Sequence, residues 1–192
     1  MMNLPSFSIV YETENLSNVD FSNVYRSLAS LDAQKKSPKS ANEFLLIDTG
    51  NTPENIIQEL CSMYSWLKVK KMPGVGYYQS KMLGARLVTG EIVVFADSDC
   101  IYETYWLKNL LSTYLLDENI NIVAGETSTP IRNLYDLAIA IHYLFPRFSG
   151  YENVYKSNGY SMNNVSFRRS FILENCILTD LPLYRANCYV HA

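Results

Sequence analysis

The sequence predicts an α/β protein with a mostly parallel sheet flanked by helices on both faces. Three observations predict it. Strand-like and helix-like segments alternate four times between Phe7 and Asp97 with short connections, the pattern of a parallel sheet whose crossovers are helices. The run Glu91-Ile92-Val93-Val94-Phe95-Ala96 is β-branched and aromatic, starts after Thr89-Gly90, and reads as a strand buried on both faces. At 192 residues, 48% hydrophobic and 18% charged, the chain fits one domain with a sizeable core.

The elements follow in order. Phe7-Ser8-Ile9-Val10-Tyr11 is a short strand, and Val24, Leu28 and Leu31 give helical spacing to residues 20–31. A loop rich in Lys, Ser and Pro (35–40) leads to the strand Phe44-Leu45-Leu46-Ile47-Asp48, which turns at Thr49-Gly50-Asn51. Pro53 suits the first turn of a helix reaching Tyr64. Residues 66–71 form a third strand, Pro73-Gly74-Val75-Gly76 a loop, and 77–88 a third helix before the strand that ends at Asp97. Beyond it come a helix over 105–116, a strand over 121–125 and a helix over 133–144. Residues 148–158 read as a polar, aromatic loop, followed by the segment 160–167 and a short helix from Arg169.

Composition narrows the partners. A net charge of −3, with only Lys68-Val69-Lys70-Lys71 clustered, gives no footprint for nucleic acid; those lysines read as a solvated strand face. Cys61, Cys100, Cys176 and Cys188 lack metal or redox spacing and read as packing thiols in a reducing compartment. The start has no signal-like apolar run, and the longest apolar stretch, 134–145, is broken by Asp136 and His142 and is short of the ~20 residues a span needs. The expectation is a cytoplasmic location, with room for peripheral contact with a membrane. The 15 tyrosines are expected mainly in half-buried packing, and His142 as a packed histidine.

Asp97-Ser98-Asp99 carries the chemistry. Two carboxylates sit at i and i+2 just past a core strand, at the end of the sheet where open α/β folds bind their ligands. Hard oxygen donors suit Mg²⁺ or Mn²⁺, so the simplest reading is a metal-assisted nucleotide site. The plainer alternative is that Asp99 caps a helix starting near Glu103. Asp48 could likewise serve its own turn, and Asn163 and Asn164 either touch an acceptor or shape a turn. Gly74-Val75-Gly76 lacks the third glycine of a dinucleotide loop, since Gln79 occupies its place.

Several segments together resemble the nucleotide-sugar-dependent glycosyltransferases of family 2, with the GT-A, Rossmann-like fold. They are Ser8-Ile9-Val10 with Glu12-Thr13-Glu14-Asn15, Glu43 to Thr52, Lys81-Met82-Leu83-Gly84-Ala85 with Thr89-Gly90-Glu91, and Val94 to Asp99 followed by Trp106-Leu107. Val123-Ala124-Gly125 and Asn163 to Arg169 continue the likeness. The resemblance implies transfer of a sugar from a nucleotide-diphosphate donor to a saccharide, lipid-linked or other hydroxyl acceptor, with inversion. It implies that Asp99 binds the divalent metal and that Asp97 contacts the ribose or the metal. Nucleotide contacts fall to Thr13, Glu14, Asp48, Lys81, Asp97 and Ser98, with Lys81 toward the phosphate, and acceptor contacts to Asn163 and Asn164. It divides a single domain, 1–192, into a nucleotide part to about residue 126 and an acceptor part after it.

The departures are specific. Glu12 and Glu14 stand where the family often has Pro-x-Tyr, and Thr49 replaces a second aspartate, which leaves the base open. The family takes its general base from a Glu-Asp pair, a dipeptide absent here; Asp180 is the nearest acid to serve instead. The expectation is therefore a domain incomplete at its C-terminus, with a nucleotide-binding module that transfers nothing as the alternative.

Overall fold

The computed structural model describes residues 3–14, 21–144, 153–181 and 187–191. Asn15, the predicted helix start at Asp20 and the first part of the 148–158 loop lie outside them.

The elements are β1 (Phe7–Glu12), α1 (Ser22–Asp32), β2 (Phe44–Asp48), α2 (Glu54–Met63), β3 (Leu67–Lys71), α3 (Tyr77–Leu87) and β4 (Ile92–Asp97). There follow α4 (Trp106–Thr113), β5 (Ile122–Ala124), α5 (Leu134–Ile139), β6 (Asn164–Arg168), α6 (Arg169–Glu174) and α7 (Asn187–His191). Pro38–Ser40 is a 3₁₀ turn capped by the Ser37 hydroxyl, and α5 continues as a π turn over Ala140–Leu144.

One six-stranded sheet runs in the order β3-β2-β1-β4-β6-β5. β1 is parallel to both β2 and β4, and β2 to β3, as the alternation predicts. On the far side β6 is antiparallel to β4, and β5 pairs antiparallel with β6, so the sheet is mostly parallel as expected. The chain therefore enters β6 beside the end of β4, with Asn164 opposite Ala96, and leaves it beside Ile92.

Every residue of β1, β2 and β4 is buried, which explains their near-continuous apolar sequences. Alternation divides their side chains between two cores. Phe7, Ile9, Tyr11, Ile92, Val94 and Ala96 pack with α1, α2 and α4, whereas Val10, Val93 and Phe95 pack with α3 and α6. α3 lies so close on β1 that a Cβ at Gly84 would come 2.4 Å from Val10 Cγ1. β3 is an edge strand with Lys68, Lys70 and Lys71 exposed, the solvated face expected, and such charges keep an open edge from pairing with another chain.

Two expectations need correction. His142 is exposed: among the described side chains of α5 and its π turn, Ala140 is the buried one, and Leu134, Tyr135 and Ile141 lie on the surface. The segment 160–167 is strand only from Asn164, since residues 162–163 form a turn into β6. The four cysteines are free, and Cys188 is buried. No helix among the described residues is long and apolar enough to cross a membrane.

Candidate active site

β1 leads by α1 to β2 on one side, while β4 lies on its other side, so the strand order reverses between β1 and β4. At that reversal the loops leaving two neighbouring strands diverge and open a crevice. The residues in register at its lip are Glu12 and Asp97.

Asp97 ends β4 and is 2% exposed. Tyr77 donates from its hydroxyl to Asp97 Oδ2 at 2.6 Å, and the Lys81 ammonium bonds Oδ1. Tyr77 and Lys81 are one helical turn apart, so a single face of α3 delivers both. Lys81 is wholly buried, with its ammonium over the rings of Tyr77 and Phe95 at 4.9 and 5.5 Å. Lys81 and Asp97, expected at the nucleotide and the metal, bond each other here. Lys81 is spent on Asp97 beneath the sheet's end and presents no ammonium at the surface for a phosphate. Each Asp97 oxygen has one of these partners, and the exposed carboxylate of the pair is Asp99.

Tyr102 fixes the turn itself. Its hydroxyl accepts from Asp97 N at 2.7 Å and lies 3.2 and 3.3 Å from the carbonyls of Asp97 and Asn163, tying β4's exit to the entry of β6. Ser27 of α1 donates to the Asp97 carbonyl at 3.2 Å. Asp99 is exposed on this rigid turn. The Cys100 thiol donates to its Oδ1 at 3.5 Å, and the Asn163 amide donates to Cys100 Sγ at 3.4 Å. Desolvation by the surrounding protein, then the charge of Asp97, raise the Asp99 carboxyl above its ordinary value. Ser98 is buried and its Oγ has no partner among the described residues, as is true of Asn163 Oδ1.

The remaining expected residues occupy four places. Thr13 N and Oγ1 both donate to the Ile47 carbonyl at 3.2 Å, holding the loop after β1 against β2. Asp48 ends β2 and accepts from Gly50 N at 3.0 Å, the local turn weighed from the sequence. Gly50 has φ +94°, which a side chain would strain. Asn164 is locked: its Oδ1 accepts from Trp106 Nε1 at 2.7 Å, and its Nδ2 donates to the Glu126 carbonyl and Thr127 Oγ1. It shapes the site wall, and Asn163 is the member of the pair at the turn. Asp180 is exposed beyond α6, with no bond or ion pair to Asp97 or Asp99 among the described residues.

Two residues escaped the sequence reading, Tyr77 and Tyr102, and Glu12 was read only as a departure from the family's pattern. The signal for Tyr77 was its i, i+4 spacing with Lys81; that for Glu12 was its place at the carboxyl end of β1. Glu12 is wholly buried, Oε2 accepts from Glu14 N at 2.8 Å, and Oε1 has no partner among the described residues. Burial first, and Asp97's charge second, push its carboxyl up to about 8. The folded chain thus keeps a proton that the unfolded chain gives up at the ordinary 4.5. This stabilising contribution is complete below about 4.5 and is lost as pH rises through about 8. Thermal melts at pH 5 and pH 9 should therefore show a larger loss for the wild type than for Glu12→Gln; equal losses would place the proton elsewhere.

A parallel sheet with a reversed order, an antiparallel strand beside it and a carboxylate turn at the reversal make up a GT-A-like glycosyltransferase fold. Two solved structures share it. A mannosyltransferase, PcManGT from Pyrobaculum calidifontis, in complex with GDP-Man and Mn²⁺, matches with a TM-score of 0.71 at 16% identity over 98% of this chain and 51% of its own. TarS 1-349 of S. aureus matches with a TM-score of 0.65 at 17% identity over 97% of this chain and 53% of its own. The chain thus spans about half the length of either. Residues 17–175 match the model of glycosyl transferase family 2, and the chain belongs to that family.

Proposed function

We propose that this chain binds a nucleotide-sugar donor in the β1–β4 crevice and transfers the sugar, with inversion, to a hydroxyl acceptor. The observation that carries the reading is the turn at the end of β4, where Asp97 is immobilised from below and Asp99 is left exposed. A single accessible carboxylate fits Mg²⁺ or Mn²⁺, which commonly takes one or two protein carboxylates and completes its shell with phosphate oxygens and water. Asp99 would hold the ion, which when bound offsets the negative charge growing on the leaving nucleoside diphosphate. The Mn²⁺ and GDP-Man held by the Pyrobaculum mannosyltransferase support this choice.

The chain's own residues do the rest. Asp48 meets the base, Thr13 and Glu14 border the nucleoside, and Ser98 lies in the turn beside the diphosphate. Asn163 stands on the acceptor side, and Asp180 is the acid assigned to take the acceptor's proton. The first 126 residues or so form the nucleotide part and the rest the acceptor part. A second reading, donor binding without transfer, is favoured by the absence of a Glu-Asp dipeptide from the sequence.

Calorimetric titration with UDP, GDP and their sugar conjugates, with and without Mn²⁺, should show metal-dependent binding of one nucleotide series. Absence of binding to all of them refutes the donor site. Transfer lost in Asp180→Asn supports catalysis by this chain, whereas binding without any transfer selects the second reading.

A further inference from the structure

Asp99 stands one residue past the buried Ser98, on a turn closed by Cys100 N donating to the Asp97 carbonyl at 3.4 Å. In a strand, consecutive side chains point to opposite faces. This turn instead brings the Cys100 thiol beside the Asp99 carboxylate, where it donates to Oδ1 at 3.5 Å. Cys100 is half-buried and packs against the core shared by α1, α2 and α4, as a packing thiol should. Its sulfur has a second polar contact, accepting from Asn163 Nδ2 at 3.4 Å. Asn163 is itself fixed, because its carbonyl accepts from the Tyr102 hydroxyl at 3.3 Å, the same hydroxyl that Asp97 N bonds. Side-chain bonds thus run from Asn163, at the entry of β6, through Cys100 to the exposed carboxylate past the exit of β4.

An exposed carboxylate on an unrestrained side chain samples several rotamers, and an ion that binds it must stop that motion at an entropic cost. A bond already made to one oxygen removes part of that cost before the ion arrives and leaves the other oxygen to meet it. We propose that Cys100 is a positioning residue of this site: its thiol, oriented by Asn163, sets the Asp99 carboxylate for a divalent cation. The inference rests on the metal-assisted donor binding proposed above and adds to it a residue that touches neither ion nor nucleotide. It also joins the acceptor-side segment to the metal carboxylate, so a change at Asn163 is felt in ion binding before any acceptor is present.

The test is calorimetry of UDP and GDP, each with and without Mn²⁺, on the wild type, Cys100→Ala, Cys100→Ser, Asn163→Ala and the Cys100→Ala/Asn163→Ala double variant. Cys100→Ala should cut the affinity gained from Mn²⁺ by about threefold or more, a modest factor for an outer partner because a thiol donates weakly. Its affinity for the nucleotide without metal should stay within about twofold of the wild type. Cys100→Ser keeps a donor and should recover most of the gain. Asn163→Ala should lower the gain by a smaller factor and add nothing in the Cys100→Ala background, since members of one network are not additive. A thiol that only packs would instead move the melting temperature and both affinities together, without rescue by serine, and that result overturns the inference. Should Cys100→Ala fail to fold, the gain in Asn163→Ala decides. A wild type that responds to Mn²⁺ while the variants respond equally overturns this inference alone. A wild type whose nucleotide binding ignores Mn²⁺ removes the metal reading and this inference together.

Discussion

Lys81→Met should destabilise the chain by about 3–5 kcal/mol, because it leaves the Asp97 carboxylate buried without its countercharge. For a domain of this size that lowers the melting temperature by on the order of 10 °C. The reasoning is one of asymmetry. Lys81 is wholly buried and its partner nearly so; removing one charge exposes the other to the full cost of desolvation, whereas removing both does not. The double variant Lys81→Met/Asp97→Asn should therefore recover most of the loss, giving a coupling well above the few tenths expected of independent sites. A Lys81→Met protein melting with the wild type would mean that the ion pair does not hold in solution. Tyr77→Phe gives a milder comparison, since it removes one neutral donor to the same carboxylate and leaves the charge paired.

The same ion pair shows where the sequence stops being informative. β4 and its acidic end were legible because a strand buried on both faces must be apolar throughout, so the first acids after it stand out. Strand and helix order up to that point followed from periodicity. The position of β6 did not, because its pairing with β4 joins residues some 70 apart and no local pattern encodes which later segment fills that edge. Lys81 could be read from sequence as a phosphate ligand, since lysines are usually at the surface. What buries it is the descent of α3 onto Val10 at Gly84, a contact between elements. Glu12 was visible as a departure from a family pattern, but its complete burial follows from β1 lying between β2 and β4, which only the topology supplies. The apolar stretch from Leu134 was legible as a helix. What it faces was not: His142 and Leu134 are exposed, because an apolar helix reads alike whether or not a surface meets it.

Asp99→Asn should abolish the metal response of nucleotide binding while leaving the fold unchanged. With Asp97 anchored by Tyr77 and Lys81, Asp99 is the accessible carboxylate on the turn, and its replacement removes a charged oxygen without disturbing a buried group. A bridging cation contributes several kcal/mol where phosphate charge is concentrated, so Mn²⁺ should tighten wild-type binding of a nucleoside diphosphate by at least about tenfold. In Asp99→Asn the gain should shrink to about twofold or less, with an unchanged melting temperature. The pH dependence follows from the same environment. Desolvation and the neighbouring Asp97 charge hold the Asp99 proton more tightly than an ordinary carboxyl would, and that proton competes with the ion. On acidification the Mn²⁺ response should therefore fade at a higher pH than an unperturbed aspartate would give. An Asp99→Asn chain that keeps the full Mn²⁺ response would move the metal to another set of oxygens and, with it, the chemistry away from the end of β4.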